Sequence, residues 1–205
     1  MKHIAVFASG GGSNFQAVID GCARGGIPGK VALLIYDRKS AFARVRAESA
    51  GIPAIYMHPK MFGSFQEHDE ETLALLKEHA VDIIVLAGYL RILGEKTLAA
   101  YENAVINTHP ALIPSFCGMG FYGLKVHQAA LDYGVKVSGC TIHFVDAGVD
   151  SGPIIFQQAV NVLPGDTPEK LQQRILPVEH KLLTKAAKLL CQDRIRVYGR
   201  RVEII

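Results

Sequence analysis

The sequence predicts an α/β protein, a mostly parallel twisted sheet flanked by helices and extended by antiparallel C-terminal strands. Apolar runs of strand length alternate with amphipathic stretches of helical length through the first two thirds of the chain. Several of those runs are apolar at consecutive positions, Ile83–Leu86 most plainly, so both of their faces are buried, as in a parallel sheet covered by helices. Beyond Tyr133 two longer β segments follow one another across a short connection.

The elements follow in order. Ile4–Ala8 is a strand and Asn14–Arg24 a helix, with the glycine run Gly10-Gly11-Gly12 between them. Val31–Tyr36 is the second strand. Ser40 caps a helix through Ala50, Gly51-Ile52-Pro53 ends it, and Ala54–Met57 is a further strand. A helix from Phe65 to His79 leads into Ile83–Leu86, and Glu95–Tyr101 leads into the strand Val105–Thr108, which Pro110 stops. Leu124–Tyr133 is helical, Val137–Phe144 and Ile154–Val162 are strands, and Val145–Pro153 joins them. Thr167-Pro168-Glu169 starts a helix with proline at its first position, and the periodicity carries it to Cys191. Val197–Ile204, turning at Gly199-Arg200, is a terminal hairpin.

With 205 residues, nearly half of them apolar, the chain is long enough for one domain with a large core, and the expected unit is residues 1–205. No internal repeat or low-complexity linker divides it. The net charge of +3 arises without a block of Lys or Arg. Arg194, Arg196, Arg200 and Arg201 crowd the tail, where a solvated hairpin is the simpler reading than a nucleic-acid contact. The four cysteines form no C-x-x-C pair, which points away from a zinc site or a disulfide framework and towards a reducing compartment. The first apolar run is too brief for a signal peptide or a membrane span. The expectation is a cytoplasmic protein without membrane or nucleic-acid partners.

Two segments carry chemistry by pattern. Ser9-Gly10-Gly11-Gly12-Ser13-Asn14 lies between a strand and a helix, where backbone N–H groups at a helix start can cradle a phosphate or carboxylate. Phe15 occupies the place where the dinucleotide fingerprint G-x-G-x-x-G needs its third glycine and the hydrolase elbow G-x-S-x-G its last one. No Lys-Ser or Lys-Thr pair makes a nucleotide P-loop. A small anion site using Gly12, Ser13 and Asn14 remains, beside the alternative of a purely structural turn.

In the second segment, Asn107 and His109 sit two residues apart at the end of an apolar strand, so they project from one face at the edge where α/β proteins bind ligands. An amide that donates and an imidazole that can be protonated suit a carbonyl oxygen turning into an oxyanion. The alternative is a strand-end His bonded to a neighbouring carbonyl. The connection Asp146-Ala147-Gly148-Val149-Asp150-Ser151-Gly152-Pro153 offers two carboxylates. Asp146 reads as a turn residue, and Asp150 is either another or a partner that would keep His109 protonated.

These segments, together with Leu86-Ala87-Gly88-Tyr89-Leu90-Arg91-Ile92-Leu93, Leu112-Ile113-Pro114 and His143-Phe144-Val145, resemble the folate-dependent phosphoribosylglycinamide formyltransferase family, the glycinamide ribonucleotide transformylases. The resemblance spans nearly the whole chain in order and spacing. It implies a Rossmann-like formyltransferase fold and transfer of a formyl group from 10-formyltetrahydrofolate to the amine of glycinamide ribonucleotide, a step of purine biosynthesis needing no metal. It makes Asn107, His109 and Asp150 the catalytic residues, and Gly12, Ser13, Asn14 and Glu179 the ribonucleotide site. Leu90, Arg91, Ile92, Leu93 and Asn107, with Asp146, Ala147, Gly148, Val149 and Asp150, enclose the reduced folate, mainly through backbone groups. The N-terminal half would then hold the ribonucleotide and the C-terminal half the folate, in a monomer or a homodimer. Apart from the resemblance, Glu179 could equally be an exposed helix residue.

The chain departs from the family at Phe65, where some members carry an Arg that reaches the folate tail; Lys60 is a nearby substitute for that charge. The stretch Ser115–Gly123 is longer than in some members, which leaves His127 as the matched residue there. Cys117 is a loop or buried thiol, since the family forms no acyl-enzyme. Formyltetrahydrofolate hydrolases and methionyl-tRNA formyltransferases share the chemistry but are expected to carry a further domain that 205 residues do not accommodate.

Overall fold

The computed structural model describes residues 1–205. Seven strands form one sheet: β1 (Lys2–Ala8), β2 (Gly29–Tyr36), β3 (Ala54–Tyr56), β4 (Ile83–Leu86), β5 (Val105–His109), β6 (Val137–Phe144) and β7 (Ile154–Asn161), in the spatial order β3-β2-β1-β4-β5-β6-β7. The first five are parallel, while β6 runs antiparallel to β5 and β7 antiparallel to β6. A separate hairpin pairs β8 (Ile195–Tyr198) with β9 (Arg201–Ile204). The helices are α1 (Ser13–Ala23), α2 (Ala43–Ser49), α3 (Phe65–Glu78), α4 (Glu95–Ala100), α5 (Leu124–Tyr133) and α6 (Pro168–Cys191).

The core divides along the sheet because successive strand residues point to opposite faces. Ile4, Val6 and Ala8 of β1 pack with Phe15 and Val18 of α1 and with Leu171, Ile175 and Leu183 of α6. Ala5 and Phe7 of the same strand pack on the other face with Leu76 of α3 and Tyr101. A strand apolar at every position is therefore what this architecture requires.

The expected elements are present, most with ends moved by one or two residues. Ser40 is the exception: it lies in a turn, and α2 begins only at Ala43, whose backbone N–H donates to the carbonyl of Gly10 at 3.1 Å. The glycine loop, 33 positions upstream of Ala43, sets where that helix begins, and no local cap signal reports such a contact. No helix is long and apolar enough to cross a membrane.

Candidate active site

The strand order reverses between β1 and β4, which opens a crevice at their carboxyl ends, the switch point where open α/β sheets bind ligands. The glycine loop leaves β1 there, and the segment Ala87–Gly94 leaves β4 beside it. Ser9 N–H donates to the Gly88 carbonyl at 3.1 Å, and Leu90 N–H donates to Ser9 Oγ at 2.9 Å, so each loop braces the other. Gly12 has a left-handed φ of 70°, and a Cβ on it would lie 2.8 Å from Ala43 Cβ, so both its conformation and its packing against α2 require glycine.

From this crevice a cavity of about 580 Å³ runs past the end of β5 to the β6–β7 connection. Gly12, Ser13 and Asn14 line one end, and Leu90, Arg91, Ile92, Leu93, Asp146, Gly148, Val149 and Asp150 line the other. Asn107 and His109 stand between the two groups. Of the residues expected around the folate, Ala147 alone is outside the lining.

Asn107, His109 and Asp150 come together. Asp150 Oδ2 is 3.5 Å from His109 Nδ1, and its Oδ1 is 3.5 Å from Asn107 Nδ2. The Gly118 backbone N–H donates to Asp150 Oδ2 at 3.0 Å. His109 Nε2 lies 2.8 Å from the carbonyl of Phe116, so the carbonyl-bound reading of this histidine and the carboxylate-paired one are both realised, on opposite ring nitrogens. Asp150 has a φ of 55°, a left-handed backbone that Asp tolerates better than most residues, and such strain concentrates at functional positions. Its neighbours hold it there. Asp146 is the expected turn residue, its Oδ1 accepting from Gly148 N–H at 3.1 Å and from Ser151 Oγ at 2.6 Å. Arg200, at the tip of the β8–β9 hairpin, donates from Nη1 to the Ser151 carbonyl at 3.0 Å.

Glu179 is buried on α6, which removes the exposed-helix alternative. Its Oε2 accepts from Asn14 Nδ2 at 2.8 Å and faces Thr108 Oγ1 at 3.4 Å. Burial pushes its carboxyl up, and the bonds from Asn14 and Thr108 oppose that. The cavity thus meets a second carboxylate from the opposite face of β5.

Three groups near β5 escaped the sequence reading of roles. His143 lies directly across from Asn107 in the β5–β6 register, and its Nε2 is 3.2 Å from Asn107 Nδ2. Its Nδ1 is 2.7 Å from the Phe144 carbonyl, which leaves Nε2 to accept from the Asn107 amide; burial lowers its pKa and favours that neutral form. The other two are main-chain groups, the Phe116 carbonyl and the Gly118 amide, invisible to any side-chain pattern. Cys117 is not an activated nucleophile, because burial first and the Asp150 carboxylate second push its thiol up. His127 is fully buried with neither ring nitrogen bonded, and burial, with His109 adding to it, pushes it down to about 4.

Fold and site together define a ligand-binding α/β enzyme with a phosphate-type loop and a carboxylate–imidazole–amide cluster. A family model described as formyl transferase matches residues 2–187, and the chain belongs to that family. The chloroplastic phosphoribosylglycinamide formyltransferase of Arabidopsis thaliana is 41% identical over 196 residues, covering 95% of this chain and 67% of that protein. The phosphoribosylglycinamide formyltransferase of Bacillus subtilis is 40% identical over 93% of this chain and 95% of its own length. Among solved structures, glycinamide ribonucleotide transformylase 1 from Symbiobacterium toebii superposes with a TM-score of 0.94 at 45% identity, covering all of this chain and 94% of that one.

Proposed function

We propose that the protein transfers the formyl group of 10-formyltetrahydrofolate to the amine of glycinamide ribonucleotide, in the cytoplasm, with residues 1–205 acting as one domain. The observation that carries this is the meeting of Asn107, His109 and Asp150 in one cavity that begins at the glycine loop. Its relatives' names, at about 40% identity over most of the chain, support formyl transfer to the same ribonucleotide.

The chemical problem is attack of a neutral amine on a formyl carbon, giving a tetrahedral oxyanion that then expels the folate nitrogen. The ribonucleotide phosphate sits on the backbone N–H groups of Gly12, Ser13 and Asn14 at the start of α1, where the helix dipole favours an anion. Glu179, buried beside Asn14, faces the substrate amine. The Leu90–Leu93 and Asp146–Asp150 segments enclose the folate ring. The Asn107 amide keeps one N–H on His143 Nε2, and its long contact to Asp150 is readily exchanged for the developing oxyanion. His109 is the second donor, its Nε2–H exchanging the Phe116 carbonyl for the oxyanion while Nδ1 stays on Asp150. Asp150 orients its ring and, through water, passes the amine proton towards the leaving folate nitrogen.

The test is spectroscopic detection of the deformylated folate with and without glycinamide ribonucleotide. The reading requires turnover that depends on the ribonucleotide. Equal turnover without it would assign a hydrolase, and binding of both ligands without turnover would assign a non-catalytic binding protein.

A further inference from the structure

Among the residues that line the cavity two are permanent cations, Arg38 and Arg91. Arg91 donates from Nε to Oδ2 of the fully buried Asp37 at 2.7 Å, so its charge is balanced. Arg38 is exposed, pairs with no carboxylate and lies over no aromatic ring. Its place is set by the backbone around it. In the parallel register of β1 and β2 Ala8 faces Tyr36, so Gly10 and Arg38 stand two residues beyond that pair on neighbouring loops. The turn that begins at Arg38 closes with Ala41 N–H on the Arg38 carbonyl at 2.9 Å, and Ala43 N–H then donates to the Gly10 carbonyl at 3.1 Å. The segment that carries this guanidinium is therefore itself bonded to the glycine loop. Its charge reaches Tyr122, another lining residue, whose hydroxyl is lowered first by the bond from Lys125 Nζ and in smaller measure by Arg38.

Backbone N–H groups at a helix start supply about half an elementary charge, while a phosphate monoester carries about two negative charges near neutral pH. The difference calls for a cation beside the loop. Resting on the phosphate-loop reading above, we propose that the Arg38 guanidinium binds the phosphate of the ribonucleotide together with the Gly12–Asn14 amides, and that Arg38 determines specificity for the phosphorylated substrate. The planar fork of a guanidinium can give two N–H bonds to two phosphate oxygens, which a backbone loop alone cannot match in charge.

The discriminating variant is Arg38→Met, which keeps a long flexible side chain at an exposed position and removes the charge. Dissociation constants are measured by titration, at low and at high salt, for glycinamide ribonucleotide and for the ribonucleoside that lacks its phosphate. At low salt the variant should bind the ribonucleotide roughly tenfold more weakly and the ribonucleoside equally well, the size being that of one charge-assisted hydrogen bond discounted for exposure. Added salt should narrow the gap between parent and variant. In turnover the ribonucleotide KM should rise while kcat stays within about twofold, because the phosphate is held alike in the ground and transition states. Arg38→Lys should recover part of the loss. Unchanged ribonucleotide affinity in Arg38→Met, or an equal loss for ribonucleotide and ribonucleoside, overturns the proposal. If the unaltered protein bound the two ligands equally, the phosphate-loop reading itself would fail and the proposal with it.

Discussion

The two walls of the cavity are built by different means. The glycine-loop wall is held by regular elements: Ser9 N–H on the Gly88 carbonyl, Ala43 N–H on the Gly10 carbonyl, Arg46 Nε on the Gly11 carbonyl at 2.8 Å, and Glu179 projecting from the long helix α6. The β6–β7 wall is a connection without regular structure. It is fixed by the Asp146 turn, by Gly152, whose Cβ would stand 1.9 Å from the Phe144 carbonyl oxygen, by the left-handed backbone of Asp150 and by Arg200 from a distant hairpin. The contrast separates two kinds of precision. On the first wall the chemistry-bearing groups share their supports with the fold, while on the second they can be changed one at a time.

The largest effect that sharpens this contrast lies where the walls meet. Asn107→Ala and His109→Ala should each lower kcat by about 10²–10³, the usual loss for one oxyanion donor, while urea midpoints stay close to the parent. Near-parent turnover in either variant would remove that residue from the reaction. Asp150→Asn should lower kcat by roughly 10–100-fold without loss of stability or ribonucleotide affinity, because Asn also tolerates the left-handed backbone. A stability loss comparable to the activity loss would show that the second wall is no more separable from the fold than the first.

On the glycine wall the same logic predicts a different outcome. Gly12→Val places a branched side chain at φ 70° against Ala43 and should destabilise the fold by about 2–4 kcal/mol, with ribonucleotide affinity falling as a consequence. Gly11→Ala adds its methyl in open space, so stability should hold within about 0.5 kcal/mol while ribonucleotide affinity drops severalfold. Urea melts with ribonucleotide titration separate the two. Unchanged affinity in Gly11→Ala would put the phosphate elsewhere.

These differences follow what was legible in the sequence. Period-two geometry brought Asn107 and His109 to one face of β5, and consecutive apolar residues in β1 and β4 revealed a sheet buried on both sides. Glu179 was named through the resemblance alone, and the structure shows it four residues after buried Ile175 on the stripe that carries Leu182, Leu183 and Ala186. Ser40 failed as a cap because α2 begins against the glycine loop, a long-range contact that overrides local propensity. The pattern left Asp150 between a turn residue and a partner of His109 until the resemblance chose the second, since nothing local tells where a connection returns. Phe116 and Gly118 act through main-chain atoms, which carry no residue signature.

A smaller effect concerns pH. His127 is pushed down to about 4 by burial, so between pH 6.5 and 4 the unfolded chain binds the proton that the folded protein refuses. Its contribution to stability is complete above pH 6.5 and is lost as pH falls towards 4, amounting to about 2 kcal/mol by pH 5. His127→Leu should flatten that part of the stability–pH curve while leaving stability at pH 7.5 within about 1 kcal/mol, an apolar group replacing two unbonded nitrogens. A curve of unchanged slope would remove His127 as the source.

The smallest effect tests the outermost support of the second wall. Arg200 is exposed and its single bond to the Ser151 carbonyl is a surface interaction, worth less than about 1 kcal/mol. Ser151 follows Asp150 directly, and its hydroxyl also holds Asp146, so releasing its carbonyl loosens the connection at the carboxylate. Arg200→Ala should therefore reduce kcat roughly two- to threefold, leave the ribonucleotide KM unchanged and leave the melting temperature unchanged. Arg200→Lys should recover part of the loss, since one N–H is enough to reach the carbonyl. A parent-like kcat in the alanine variant would show that Asp146 and Gly152 hold the wall without the hairpin. Equal loss in the lysine and alanine variants would mean that the guanidinium acts by some route other than the Ser151 carbonyl.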